Sequence, residues 1–376
     1  MRIIQTFLIL TVSLLSVFPP SSSGREWIAY VGTYTRQAGN GIYALRFNSN
    51  TGGLTSIGWA GESSNPSFLA VHPNQRFLYS VGENSSGTVS AFSTDLRTGK
   101  LSLLNTVSSK GNSPCHIAFD RTGRWLFVAN YGNGSIAALP VHRDGTLGEA
   151  SAFIQHAGFP ADPGRQKGPH AHSVNISRDN RFLVVTDLGL DQTLVYRFDS
   201  TTGTLTPNDP PFIKMAAGSG PRHFAFGAGG QFAYVLNEIS VTVTALSYDK
   251  RGGSLTEIQT LSALPKESSG ANSGAEIAAH PNGRFLYSSN RGPDSITVFA
   301  VDPKTGLLRA VDWVSTQGKT PRNFAIDPTG AFLLAANQNS NSIVVFRIDQ
   351  RTGGLTETGR VGDIPFPVSL VFAKAH

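Results

Sequence analysis

The chain contains a single cysteine, Cys115. No intramolecular disulfide can form in any redox compartment, so the fold must be held by its core alone. Apolar runs of spanning length are missing after residue 18, which leaves no candidate for a stable membrane anchor in the body of the chain. Positive charge is in excess, with a formal net charge of +6, yet no run of five or more Lys and Arg occurs. Nucleic-acid binding calls for a clustered basic stripe and stacking aromatics. Here the basic residues are scattered and the aromatics fall at strand periodicity, so no nucleic-acid partner is expected. A G-x-S-x-G elbow is absent, and no Cys–His pair stands out in the sequence, which disfavours a covalent nucleophile. Cys115 itself reads as a small core or channel residue on a first strand.

Residues 1–18 read MRIIQTFLILTVSLLSVF, one Arg ahead of a short apolar run, followed by PPSSSG. That is the pattern of a secretory leader. No A-x-A site is present, and processing is expected between Pro19 and Trp27. The organisation predicted is a leader over 1–24 and a single domain over 25–376. The protein is then secreted or periplasmic, or cytoplasmic if the leader is not used.

What the sequence has in abundance is a repeat. In PRHFAFGAGGQFAYVLNE (221–238), Phe224, Phe226, Phe232, Tyr234 and Leu236 alternate with period two, and glycines separate the two halves. This is a strand, a tight turn and a returning strand. Copies align on Phe77, Trp125, Phe182, Phe232, Phe285 and Phe332. Eleven residues earlier stands Pro or Gly in five of the six, and five residues later stands Gly82, Asn130, Asp187, Asn237, Asn290 or Asn337. A third alternating segment and a TGGL-like turn into a fourth strand follow each time. Four short strands repeating at roughly fifty residues indicate a β-propeller. The first copy lacks its first strand, and PVSLVF (367–372) is a first strand without a second. The two fragments complete one blade, giving an all-β, seven-bladed propeller closed by pairing of its N- and C-terminal strands. A β-sandwich or a two-domain chain does not account for the complementary ends.

A first strand starts, and its partner ends, at the same edge of the sheet. That edge therefore gathers His172, Arg222, His223, Glu276 and Arg322 from first strands. It gathers Asn130, Asp187, Asn237, Glu238, Asn290, Arg291 and Asn337 from second-strand ends. Three guanidiniums in one cleft repel unless carboxylates or a bound anion offset them, and Arg is suited to carboxylate or phosphate. The Asn series is equally consistent with capping of strand ends. His172 and Glu238 are available for acid–base chemistry. His170-Ala171-His172 lacks a clear third ligand, so no metal and no cofactor is expected.

The stretches HSVNISRDNRFL (172–183), GPRHFAF (220–226), YVLNE (234–238), LYSSNRGPDSITVF (286–299) and TPRNFAIDPTG (320–330) resemble the lactonase family of seven-bladed propellers. That family includes propeller-type 6-phosphogluconolactonase and the fungal 3-carboxymuconate cycloisomerase. The resemblance covers the chain beyond the leader. It implies an active constellation of one His, two Arg and a Glu, which here look like His172, Arg222, Glu238 and Arg291. The implied activity is hydrolysis of a small sugar-type or anionic lactone. The alternatives are a lactonising cycloisomerase and a secreted propeller that only binds a ligand. A leader is unexpected beside a cytosolic sugar phosphate.

Overall fold

In the computed structural model, residues 26–35, 40–159 and 164–375 are described. The expected leader, 1–24, lies outside them. Seven four-stranded antiparallel sheets form the fold. Blade 1 takes its inner strand, Pro367–Lys374, from the C-terminus and its next strand, Glu26–Thr33, from the N-terminus. Trp27 stands opposite Lys374 and Val31 opposite Leu370, so both ends of the chain are hydrogen-bonded into one sheet. The inner strands of blades 2 to 7 are Leu69–Val71, Pro114–Phe119, Ala171–Ile176, Pro221–Phe226, Ser273–Ala279 and Pro321–Ile326.

Second strands are buried throughout, as in Trp125–Asn130 and Phe332–Asn337, while fourth strands alternate toward solvent. The apolar core is correspondingly divided among the gaps between blades. Phe77, Tyr79 and Val89 of blade 2 pack on Ile117, Leu126 and Val128 of blade 3. Phe332 and Leu334 of blade 7 pack on Ala29, Phe47 and Leu370 of blade 1, so the last gap is filled like the others. No blade covers both its faces, and only the closed ring buries them all.

The aromatic that opens each second strand and the glycine of the TGGL-like turn are structurally linked. Gly253 of blade 5 has φ +75°, and a Cβ there would lie 2.4 Å from Cδ1 of Phe182 in blade 4. Gly306 meets Phe232 and Gly353 meets Phe285 in the same way. The turn needs a left-handed residue, and the ring of the preceding blade occupies the space where a side chain would project. One blade's turn thus rests on its neighbour's aromatic, and the two recur together.

Candidate active site

The inner strands enter the mouth of the channel through a repeated break in register. Pro221 pairs with Asn237, but the next pair is His223 with Leu236, leaving Arg222 unmatched. The same break leaves Cys115 between Pro114 and His116, His172 between Ala171 and Ser173, and Arg322 between Pro321 and Asn323. In blade 6 it spans Ala275 and Glu276. A bulge re-aims the extra residue out of the regular alternation. Repeated around the ring at the same strand end, it brings Cys115, His172, Arg222, Glu276 and Arg322 to one mouth.

Glu238 is the centre of this group. It follows the second strand of blade 5, with its N–H donating to Gly220 O at 2.7 Å and its carbonyl accepting from Gly274 N at 3.0 Å. Its Oε2 accepts from Arg222 Nε at 2.9 Å and lies 3.0 Å from Arg291 Nη2. Its Oε1 accepts from Arg165 Nη2 at 2.6 Å. His172 Nε2 lies 3.9 Å from the same Oε2, outside hydrogen-bond distance, while Nδ1 faces Cys115 Sγ at 3.7 Å. Arg291 also donates from Nη2 to Gly274 O at 2.7 Å, and its buried Nε has no hydrogen-bond partner.

A second carboxylate is joined to the first through Arg222. Arg222 Nη1 meets His223 Nε2 at 3.1 Å and also donates to Ala275 O. A guanidinium can only donate, so Nε2 accepts and His223 carries its proton on Nδ1. That proton points to Glu276 Oε1 at 2.8 Å. Asn323 Nδ2 donates to Glu276 Oε2, and Asn323 Oδ1 accepts from Leu370 N at 2.9 Å. The chain of contacts therefore runs from blade 5 through blades 6 and 7 to the closing C-terminal strand.

The two carboxylates differ in charge. Burial pushes Glu238 up, but Arg291, Arg222, Arg165 and Arg322 outweigh it and hold the carboxyl at about 2. Burial pushes Glu276 up to about 7, with Arg222 and its hydrogen bonds offsetting this only in part. Burial, reinforced by nearby Arg222, His223 and Arg322, lowers His172 well below the usual imidazole range, so it is neutral at pH 7. Burial and the same two guanidiniums lower His223. Burial raises the Cys115 thiol, which keeps it protonated and unsuited to attack.

Several expected site residues are not brought into this cluster. Asp187 is fully buried; Oδ1 accepts from the N–H groups of His170, Gly189 and Leu190 at 2.8, 3.0 and 3.1 Å, and Oδ2 lies 2.6 Å from His156 Nδ1. These bonds anchor the turn that follows the second strand of blade 4. Asn290 donates to Ala263 O, Ser295 Oγ and Thr297 Oγ1. Asn237 donates to Thr242 Oγ1 and Thr244 Oγ1, Asn130 to Ser109 O and Ser135 Oγ, and Asn337 to Thr316 O. These amide N–H groups fasten the second strand to the third strand or to the loop behind it, as strand-end caps do, while the amide oxygens of all four are buried without a hydrogen-bond partner. His170 stacks on Tyr131 with ring centroids 4.5 Å apart, and its Nδ1 lies 2.8 Å from Tyr131 O. No group of three or more His, Cys, Asp or Glu able to hold a metal occurs among the described residues.

Two further residues stand at the mouth. Arg165 comes from the long connection between blades 3 and 4, outside the repeat, so alignment of the copies gave no signal for it. Tyr34 is within the repeat: Thr33 pairs with Pro367 as Asn237 pairs with Pro221, and Tyr34 N donates to Phe366 O at 3.1 Å as Glu238 N donates to Gly220 O, so Tyr34 holds in blade 1 the position that Glu238 holds in blade 5.

The model of the lactonase family described as a seven-bladed β-propeller matches residues 28–372. The 6-phosphogluconolactonase of Bacillus subtilis is 36% identical over 300 residues, covering 80% of this chain and 84% of its own length. That of Formosa agariphila is 37% identical over 305 residues, covering 79% and 85%. The solved structure of the Pseudomonas aeruginosa periplasmic gluconolactonase superimposes with a TM-score of 0.87 at 34% identity, covering 93% of this chain and 100% of that one.

Proposed function

The chain belongs to the lactonase family of seven-bladed β-propellers and is a lactone hydrolase, and from that premise we propose that it opens a small sugar-type lactone at the channel mouth, with His172 activating the water. The observation that carries this reading is the convergence on Glu238 Oε2. Arg222 and Arg291 both reach it, and the uncommitted Nε2 of a neutral His172 lies 3.9 Å away. A carboxylate held at about 2 and occupied by three guanidiniums is a weak base. Glu238 therefore positions the cations and His172 moves the proton.

His172 Nε2 takes a proton from water as the water oxygen bonds to the lactone carbonyl carbon. The carbonyl π electrons move onto oxygen, and the guanidiniums of Arg222 and Arg291 receive that charge. The unpartnered Arg291 Nε is a donor already desolvated for this purpose. Collapse re-forms the carbonyl and breaks the bond to the ring oxygen, which takes the proton back from His172. The product is the open hydroxy acid.

Proton release measured across a lactone panel tests the reading. His172→Ala should lower turnover by about a hundredfold or more, as loss of a general base does. Turnover of muconates without turnover of sugar lactones would instead favour the cycloisomerase chemistry. The periplasmic relative and the leader-like residues 1–24 together support export, which N-terminal sequencing of protein from its host decides.

A further inference from the structure

Four guanidiniums meet at the mouth, and three of them are matched. Glu238 takes Arg165, Arg222 and Arg291. Glu276 is occupied by His223 and Asn323. Glu83 accepts from the hydroxyl of Tyr34 at 3.0 and 3.2 Å. Arg322 remains: it has neither a hydrogen bond nor an ion pair with any described residue. Its guanidinium carbon lies 5.2 Å from the centroid of the Tyr34 ring. The tyrosine thus presents its face to Arg322 and its hydroxyl to Glu83, which keeps the carboxylate beyond the guanidinium.

A cation over an aromatic face is held by the ring's quadrupole. That attraction supplies no acceptor for the five N–H groups of the fork. Arg322 is half-buried, and its field reaches the site: it lowers the proton affinity of Arg222, His172 and His223. Its bulge position in blade 7 is equivalent to that of Arg222 in blade 5, so both project from the same level of the ring. The mouth therefore holds a planar, half-buried donor set without an acceptor among the described residues, one blade beyond Glu276. Such a fork fits an oxyanion bidentately.

We infer that Arg322, backed by Tyr34, is a subsite for an oxyanion group that the substrate carries away from its lactone carbonyl, and that Arg322 sets the preference for phosphorylated over unphosphorylated lactones. The inference rests on the lactone-opening reading above for its substrate, but not for its anion.

Steady-state kinetics on 6-phosphogluconolactone and on gluconolactone, with wild type, Arg322→Gln and Arg322→Lys, test it. Arg322→Gln should raise KM for the phosphorylated lactone about tenfold more than for the unphosphorylated one, with the difference in KM rather than kcat. Arg322→Lys keeps the charge without the fork and should fall between. Inorganic phosphate, titrated calorimetrically, should bind wild type saturably and Arg322→Gln about tenfold more weakly, with melting curves confirming that each variant is folded. Equal KM changes on both lactones, or phosphate binding that the substitution leaves intact, would overturn the subsite. If wild type opens neither lactone, the proposed reaction fails, and the phosphate titration still decides the subsite: binding that weakens in Arg322→Gln supports it, and no binding to wild type removes it.

Discussion

Arg222 and Glu238 are sixteen residues apart, and their side chains meet at 2.9 Å because Arg222 is skipped by the ladder that holds its neighbours. Pro221 and His223 keep their pairing with the second strand, so the strand stays in place while Arg222 turns into the mouth. The same residue then bonds His223, which links the permanently ionised Glu238 to Glu276. A single bulge thus couples two carboxylates of opposite tendency through one guanidinium.

Ending the chain at Phe366 should abolish cooperative folding. The segment lost contains the inner strand of blade 1, including Val368 and Leu370, which lie in the core. It also removes Ser369 Oγ, which accepts from Leu69 N of blade 2 at 3.1 Å, and the Leu370 N–H that fixes Asn323. Blade 1 would be left with an unpaired edge facing the channel. A thermal melt reads the result, and an unchanged transition would refute closure by the terminal strands.

Glu238→Gln should destabilise the protein in a pH-dependent way. The carboxyl is held at about 2 against an ordinary value of 4.5. A depressed value stabilises the fold above the unfolded pKa, and that stability is lost as pH falls through the folded one. The shift corresponds to about 3 kcal/mol. Wild type should therefore exceed Glu238→Gln in stability at pH 5 and above, with the gap closing from pH 4.5 toward 2. Denaturant melts of both proteins at several pH values measure it, and a gap independent of pH would mean that the ionised carboxylate is not the source.

The propeller was legible because each blade repeats the same apolar alternation, and because the turn glycine and the strand aromatic recur together. Gly253 against Phe182 shows why: neither position tolerates independent change. The terminal closure was legible from two incomplete copies. The division of labour within the mouth was not. Asp187 and Asn237 occupy equivalent repeat positions beside the site, yet their hydrogen bonds fasten backbone and third-strand hydroxyls, a distinction set by side-chain direction. Arg165 comes from an irregular connection, so no periodicity announces it. His172 and Glu238 looked interchangeable as bases in sequence, and burial against three guanidiniums separates them.

The rate of lactone opening should depend on Glu276. Burial raises its carboxyl to about 7, yet His223 Nδ1, Asn323 Nδ2 and Ile277 N all donate to it. The arrangement around Arg222 is complete only when Glu276 is ionised. kcat/KM should then rise with pH through about 7, since neither Glu238 nor His172 titrates there. Glu276→Gln should lower the plateau and remove that limb. A limb that persists near pH 7 in Glu276→Gln would assign it to another group.

Arg222→Lys separates three roles for the residue at the bulge. The guanidinium contacts Glu238 through Nε and His223 and Ala275 through Nη1, a spread that one ammonium cannot reproduce. If Arg222 receives the charge that develops on the carbonyl oxygen, the substitution keeps the cation but displaces the donor. Losing one such donor costs about 3 kcal/mol, or roughly a hundredfold in kcat. If Arg222 grips only a ground-state anion, KM rises and kcat holds. If it serves only to join blades 5 and 6, the melting temperature falls while kinetics per folded molecule are preserved. The geometry favours the first outcome, because Nη2 forms no hydrogen bond within the described residues and lies on a side chain that Glu238 and His223 hold rigid on both flanks. Kinetics and a melt on the same preparation distinguish the three, and unchanged kinetics would remove Arg222, and with it the Glu238 cluster, from the reaction.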